Sequence, residues 1–237
     1  MASIRYSATG SHFCGGSIIS TYHILTAAHC VSSLLSPSSI RVYIGSIYLS
    51  VVDQTRSVSK IFVHANYSSE TYVNDIAILK LSSALDLDQR GIDTICLPNL
   101  IGIGWGYMYE ASNSLPDALQ QVTVQALAAN NIYCRNLDIN DSTKQFCAGV
   151  MPGGGKDTCS GDSGGPLMMF NSMNVWEIVG ITSSGVGCAR ENYPGVYTRV
   201  AAFQIWINAT MNDASRIHVY THTIFSFILA FISLTIP

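Results

Sequence analysis

Short runs of β-branched and aromatic residues recur along the chain, and each is bounded by Gly, Ser, Asn or Pro. The clearest runs are 40–44, 58–63, 76–81, 122–126 and 175–181. Runs of this length and composition are typical of strands, and the turn-forming residues between them favour short connections. Many short strands close into a barrel or pack as a sandwich. We therefore predict an antiparallel all-β fold.

One helix is predicted in the globular part, over residues 201–211. Phe203, Trp206 and Ile207 recur there at helical spacing. At 237 residues, the chain is long enough for one large domain or two small ones. No internal repeat or low-complexity tract divides it further.

Charge excludes one class of function. Only 11% of the residues are charged and the net charge is -3. Because no cluster of Lys or Arg is present, the chain has little attraction for a polyanion or an anionic membrane surface. We expect no nucleic-acid partner.

Seven cysteines indicate the compartment. They lack the paired short spacings of a zinc site, so an extracellular disulfide framework is the simpler interpretation. Three triplets, NYS at 66–68, NDS at 140–142 and NAT at 208–210, fit the N-glycosylation acceptor, although each is short enough to arise by chance. We predict a secreted or extracellular glycoprotein with no metal and no cofactor.

Three segments contain the residue types that nucleophilic acyl transfer requires. They are LTAAHC at 25–30, NDIAIL at 74–79 and DTCSGDSGGPL at 157–167. A serine hydroxyl needs a base to take its proton and a carboxylate to orient that base, and Ser163, His29 and Asp75 supply these groups. Singly, each has an ordinary structural explanation; together they favour catalysis. The GDSGG run also fits the nucleophile elbow of α/β-hydrolases, but that fold orders its triad Ser, acid, His.

These segments, together with CGGSII at 14–19, GWG at 104–106 and PGVYTRV at 194–200, resemble the trypsin/chymotrypsin family over about residues 2–211. The resemblance implies two six-stranded antiparallel β-barrels, the first about 1–97 and the second about 104–200, with a terminal helix about 201–211. The peptidase domain would span 1–212, and a hydrophobic tail would span 213–237.

The resemblance also implies roles for the site residues. His29 would act as base and then acid toward Ser163, while Asp75 would fix the tautomer of His29. The backbone N–H groups of Gly161 and Ser163 would form the oxyanion hole. Ser183 matches the serine that hydrogen-bonds near the acid.

Specificity for Arg or Lys is implied by the primary pocket. Asp157 matches the aspartate at the pocket base in trypsin-like members, Gly185 and Gly195 match its walls, and Thr158 is assigned to substrate binding. The alternative is that Asp157 is a solvated loop acid. Expected partners are protein or peptide substrates cut at Arg or Lys, with serine protease inhibitors as further candidates.

The family's disulfide pairing would join Cys14 to Cys30, Cys134 to Cys147 and Cys159 to Cys188. Cys96 is left over. Two alternatives stay open for it, a tether to a cysteine of a cleaved propeptide and a free buried thiol.

Three departures from the family bear on activity. The chain starts downstream of the usual activation terminus, whose ammonium would pair with Asp162, so we expect little activity from this form. The segment 99–103 is a short bridge between barrels. Ser184 stands where relatives usually have Trp, which predicts weaker binding of the substrate backbone. A catalytically silent homologue that acts as a binding protein is therefore the alternative function.

Neither terminus resembles that of a simple secreted protease. The amino-terminal residues lack the pattern of a signal peptide. Residues 217–236 are largely apolar and uncharged. Three interpretations of this tail stay open: a GPI-attachment signal, a transmembrane segment, and translated non-coding sequence.

Overall fold

The computed structural model describes residues 1–86, 100–137, 139–171 and 173–212. Within these ranges, twelve strands form two closed six-stranded antiparallel β-barrels, followed by one α-helix. The predicted fold class is therefore confirmed. The predictions for Cys96, for residues 97–99 and for the tail from 213 onward fall outside the described residues.

The first barrel closes in the order β1-β2-β3-β6-β5-β4. Its strands are β1 Ala2–Tyr6, β2 His12–Ser20, β3 His23–Thr26, β4 Ile40–Ile44, β5 Gln54–Val63 and β6 Ala77–Leu81. Side chains alternate between the two faces of a strand, so Ile40, Val42 and Ile44 of β4 point into the core while Arg41 is exposed. The predicted runs 40–44, 58–63 and 76–81 all fall on strands of this barrel.

The second barrel closes in the order β10-β11-β12-β9-β8-β7. Its strands are β7 Leu100–Gly104, β8 Gln120–Ala126, β9 Gln145–Gly149, β10 Pro166–Phe170, β11 Trp176–Ser184 and β12 Gly195–Arg199. Leu100, Val124, Ala148, Leu167 and Tyr197 form its buried core.

The start of this barrel corrects one prediction. Residues 99–103 were interpreted as a bridge, and the barrel was expected to begin at about 104. Leu100–Gly104 is instead strand β7, paired with β8 along its whole length and with β10. Two glycines in five residues resemble a loop in sequence, but Gly102 is buried beneath Thr158 and Val122, so the missing side chain serves close packing.

The three disulfides implied by the family resemblance are all present, joining Cys14 to Cys30, Cys134 to Cys147 and Cys159 to Cys188. The first joins β2 to the turn that carries His29, the second joins a 3-10 turn to β9, and the third joins the loop before Ser163 to the loop between β11 and β12.

The chain divides into a unit from Met1 to Ala202, which contains both barrels, and a unit that begins at Phe203. Helix α1 spans Gln204–Asn212 and follows a 3-10 turn over Val200–Phe203, close to the predicted 201–211. Among the described residues, no helix combines the length and apolar character needed to span a membrane.

Candidate active site

His29 and Asp75 meet through two hydrogen bonds. His29 lies in the turn after β3, and Asp75 lies just before β6, the neighbouring strand of the same barrel. The His29 backbone N–H donates to Asp75 Oδ1 at 2.9 Å, and His29 Nδ1 lies 2.8 Å from Asp75 Oδ2. Because a carboxylate oxygen accepts, Nδ1 carries the proton, and Nε2 is left with its lone pair.

Two hydroxyl groups of the second barrel support Asp75, which is fully buried. Ser183 Oγ donates to Asp75 Oδ2 at 2.5 Å, and Thr198 Oγ1 donates to the Asp75 backbone O at 2.8 Å. Ser183 and the His29 backbone N–H offset the loss of hydration of the buried carboxylate, while Thr198 holds the Asp75 backbone. Ser183 was expected from sequence; Thr198 was missed, although it lies inside the PGVYTRV run.

Ser163 lies in the loop between β9 and β10 of the second barrel, and this loop contacts the first barrel. The Ser163 carbonyl accepts from Gly15 N at 2.8 Å, and Gly164 N donates to Thr182 O at 2.8 Å. Gly164 has φ of +75°, and a Cβ there would lie 2.1 Å from Thr26 Oγ1. Only glycine fits this approach, so the SGDSGG run is dictated by how the loop seats against the first barrel.

The backbone N–H groups of Gly161 and Ser163 donate no hydrogen bond to any other group in the described ranges. Gly161 has φ of +98°, a conformation that glycine adopts readily. Backbone N–H groups without an internal acceptor are free to donate to a bound oxygen.

His12 holds the Gly161 peptide and was missed by sequence reasoning. His12 Nε2 lies 2.9 Å from Gly161 O, and Nδ1 lies 2.9 Å from Ser3 Oγ. Burial lowers the pKa of His12 to about 4, so the ring stays neutral and Nε2–H donates to the carbonyl. His12 begins the HFCGG segment, but nothing in the sequence indicates that its side chain contacts a residue 149 positions later.

His29 and Ser163 line one cleft of about 350 Å³, together with Tyr72, Asp157, Ser184 and Gly195. Within the described residues no hydrogen bond joins Ser163 Oγ to His29 Nε2, which instead lies 3.6 Å from Cys30 Sγ. Catalytic hydrogen bonds in unliganded enzymes are often long and shorten only with substrate bound.

Asp157 forms the floor of this cleft. Its Oδ1 accepts from Thr158 N at 2.8 Å, and Oδ2 accepts from Ala189 N at 3.4 Å. Burial raises the pKa of Asp157 to about 6, although these backbone donors oppose the shift. A Cβ on Gly195 would lie 2.9 Å from Asp157 Oδ1, whereas one on Gly185 would meet nothing closer than 3.6 Å.

The floor is completed by a residue that sequence reasoning did not select. Tyr197 is fully buried, and its hydroxyl lies 3.0 Å from Thr158 Oγ1. Burial, with the nearby Asp157 carboxylate, raises the pKa of Tyr197 far above its usual range, so the phenol stays protonated.

Asp162 lies behind the Ser163 loop at a second cavity of about 270 Å³. Its Oδ1 accepts from Gly106 N at 2.7 Å and its Oδ2 from Cys159 N at 2.8 Å. Burial raises the pKa of Asp162. A Cβ on Gly104 would lie 1.9 Å from Oδ1, which explains the glycines of the GWG run.

One cluster within the described residues has the composition of a metal site: Cys14, His29 and Cys30, whose ligand atoms lie within 4.8 Å of one another. The two sulfurs are joined in a disulfide. Since metals bind the thiolate, this group offers a single imidazole and no coordination set.

Comparison with known proteins agrees with this geometry. A sequence profile of the trypsin family, described as Trypsin, matches residues 1–207. The chain belongs to the trypsin family. It is 41% identical to Trypsin-1 of Astacus astacus over 215 residues, 84% of this chain and 87% of that protein. It is 40% identical to Trypsin Blo t 3 of Blomia tropicalis over 211 residues, 83% of this chain and 76% of that protein.

A third relative extends well beyond the matched region. Transmembrane protease serine 11G of Mus musculus is 35% identical over 213 residues, which cover 84% of this chain but only 50% of that protein. Membership of the trypsin family supports a serine endopeptidase that acts on proteins or peptides.

Proposed function

We propose that this protein is a secreted serine endopeptidase that hydrolyses peptide bonds after Arg or Lys through an acyl-enzyme. The observation that carries the proposal is that a buried His29–Asp75–Ser183 network opens onto the same cleft as Ser163, above the Asp157 carboxylate. His29, Ser163, Ser183 and Asp157 border one space of about 350 Å³, and Asp75 lies behind His29 through their hydrogen bond.

The Ser163 hydroxyl attacks the substrate carbonyl while His29 Nε2 takes its proton. Asp75, held on Oδ2 by Ser183, keeps the proton of His29 on Nδ1 and stabilises the imidazolium that forms. The negative oxygen of the tetrahedral intermediate accepts from the N–H groups of Gly161 and Ser163. His29 then protonates the leaving amine, which departs and leaves an ester on Ser163 Oγ. Water attacks the ester carbonyl while His29 Nε2 takes its proton, and His29 returns that proton to Ser163 Oγ as the C–Oγ bond breaks and the acid product leaves.

Preference for Arg or Lys follows from the cleft floor. A substrate cation that reaches Asp157 compensates a carboxylate whose burial disfavours its charge, whereas an apolar side chain leaves it unpaired. The absence of side chains at Gly185 and Gly195 leaves room for a long side chain to reach the floor.

The direct test compares amide substrates that differ only in Arg or Phe before the scissile bond, with Ser163→Ala as the inactive control. We expect Arg to be favoured by at least about a hundredfold in kcat/KM, because an apolar group leaves the floor charge unpaired. Preference for Phe would refute the pocket assignment. In the presence of the dipeptide Ile-Val, which would supply the ammonium that Asp162 is expected to accept, a fluorophosphonate probe should label wild type and not Ser163→Ala. Failure to label under these conditions would refute the nucleophile.

We propose that Asp162 accepts the ammonium group of a new amino terminus in the active form. A buried carboxylate with a raised pKa beside a cavity of about 270 Å³ favours a cationic partner. The test is addition of the dipeptide Ile-Val, with N-acetyl-Ile-Val as control. Rate enhancement by the free amine alone, abolished in Asp162→Asn, is expected, and equal effects of both peptides would contradict the assignment.

The competing function is that of a silent homologue that binds proteins without cutting them. One observation favours it: Ser184 lines the cleft at the position where the family resemblance implies Trp. Serine protease inhibitors that form a covalent bond with the nucleophile separate the two functions, since only the enzyme would retain such an inhibitor after denaturation.

Secretion and glycosylation belong to the same proposal. Asn66 is exposed in the turn after β5. Treatment of the secreted protein with a peptide N-glycosidase should lower its apparent mass, and Asn66→Gln should remove part of that shift. The anchor alternatives for the tail are separated by a phosphatidylinositol-specific lipase, which would release only a GPI-linked protein from cells.

A further inference from the structure

Gln145, the first residue of β9, is a buried amide whose hydrogen-bonding capacity is fully used. It is only 2% exposed. Its Nε2 donates to the backbone carbonyls of Thr71 at 3.2 Å and Tyr72 at 3.3 Å. Its Oε1 accepts from Asn140 N at 3.1 Å and Asp141 N at 3.2 Å. One side chain thus joins a loop of the first barrel to a loop of the second.

The carbonyl that Gln145 holds belongs to a residue with an unusual backbone. Tyr72 has φ of +51°, in the left-handed region that a bulky residue rarely adopts. Such a conformation persists only where the surroundings hold it. Nearby, Asn140 Nδ2 adds a weaker bond of 3.3 Å to Thr71 O.

Among the described side chains of this loop, that of Tyr72 lines the catalytic cleft. Its ring lies edge-on to the His29 imidazole, with 5.6 Å between centroids and 68° between planes, and it lines the cleft. The orientation of the Tyr72 backbone therefore determines where the aromatic wall stands beside His29.

We propose that Gln145 is a positioning residue that fixes the Tyr72 ring beside His29. The position of this ring then controls how the cleft binds the substrate residues that precede the Arg or Lys at the cleavage site. This proposal rests on the endopeptidase function above. An amide is required because the two carbonyls need donors and the two N–H groups need an acceptor. Methionine would supply neither, and a glutamate carboxylate would face the two carbonyls with acceptors only.

The kinetic test compares Gln145→Met with Gln125→Met, an exposed glutamine of the adjacent strand β8. Two substrates with the same scissile Arg amide are used, one an acylated single Arg and the other a tripeptide. For Gln145→Met we expect kcat/KM for the tripeptide to fall about tenfold, mainly through KM, with the single Arg changed less than about twofold. Gln125→Met should match wild type on both.

An equal loss on the two substrates would overturn the proposal, because it would indicate a general structural role. Unchanged tripeptide kinetics would overturn it as well. Gln145→Glu retains the shape and the acceptor but loses the donor. We expect it to reproduce the loss of kcat/KM on the tripeptide at neutral pH. Wild-type kinetics of this variant would show that donation to the Tyr72 carbonyl is not what holds the ring.

A second measurement does not depend on cleavage. The NMR shift of the His29 Cε1 proton contains a ring-current contribution from Tyr72, which Tyr72→Leu measures. Gln145→Met and Gln145→Glu should each move this resonance in the same direction as Tyr72→Leu, and Gln125→Met should not. If wild type cleaves no Arg substrate, the proposed endopeptidase function fails, but the NMR shift still tests the role of Gln145. A His29 resonance that does not move in Gln145→Met would refute that role.

Discussion

The charge of Asp157 at the cleft floor should depend on pH, and the affinity of the protein for benzamidine measures this charge. Burial raises the pKa of Asp157 from 3.8 to about 6. Above that value the floor is a carboxylate, and below it the floor is a neutral acid. Benzamidine is an amidinium cation, so it should bind only the ionised form.

The magnitude follows from this pKa. For a ligand that binds only the ionised floor, Kd should be constant above about pH 7 and about tenfold weaker at about pH 5. The shift from 3.8 to about 6 corresponds to about 3 kcal/mol by which burial disfavours the charge of Asp157 in the empty pocket. A bound cation offsets part of this cost, so binding should also lower the pKa of Asp157 and release about a tenth of a proton at pH 7 and most of one at pH 5.

Calorimetric titration of benzamidine across this pH range is the assay, with Asp157→Asn and His29→Ala as matched variants. Asp157→Asn should bind at least about a hundredfold more weakly and without the pH dependence, since it removes the floor charge. His29→Ala should keep the wild-type profile, which excludes titration of the imidazole as the cause. A wild-type Kd that stays constant down to about pH 5, or a pH profile that survives in Asp157→Asn, would refute the reasoning.

Three further outcomes are expected. Ser183→Ala removes a donor to the buried Asp75 carboxylate and should lower kcat/KM for an Arg amide about tenfold or more, with KM little changed, in steady-state assays. Gly195→Ala should lower Tm by about 3 to 8 °C because its Cβ would press on Asp157, whereas Gly185→Ala should melt with wild type. The folded state binds more protons than the unfolded state between pH 3.8 and about 6, so stability falls as pH rises through this window; Asp157→Asn should therefore gain up to about 3 kcal/mol over wild type at neutral pH and nothing near pH 3.8, by denaturant unfolding.

Five of the twelve strands, β4, β5, β6, β8 and β11, were predicted because each is encoded by a clear local pattern. The alternation in 40–44 fixes which face of β4 is buried, and the structure follows it residue by residue. Strand β7 was not predicted, and its two glycines resemble a loop; the close approach of Thr158 and Val122 explains Gly102, and that of Asp162 explains Gly104. Local patterns thus predict strands well and fail where packing against a distant segment selects the residue.

The sequence by itself determined the chemical groups of the site, since His29, Asp75, Ser163 and Asp157 stand in motifs long enough to identify a family. Tertiary structure alone decided what holds them. Thr198 reaches the backbone of Asp75 from 123 positions away, and Gln145 reaches Tyr72 from 73. The physical reason is that a hydrogen bond between two barrels depends on where folding brings the donor and the acceptor together, and no local pattern of residues encodes that distance.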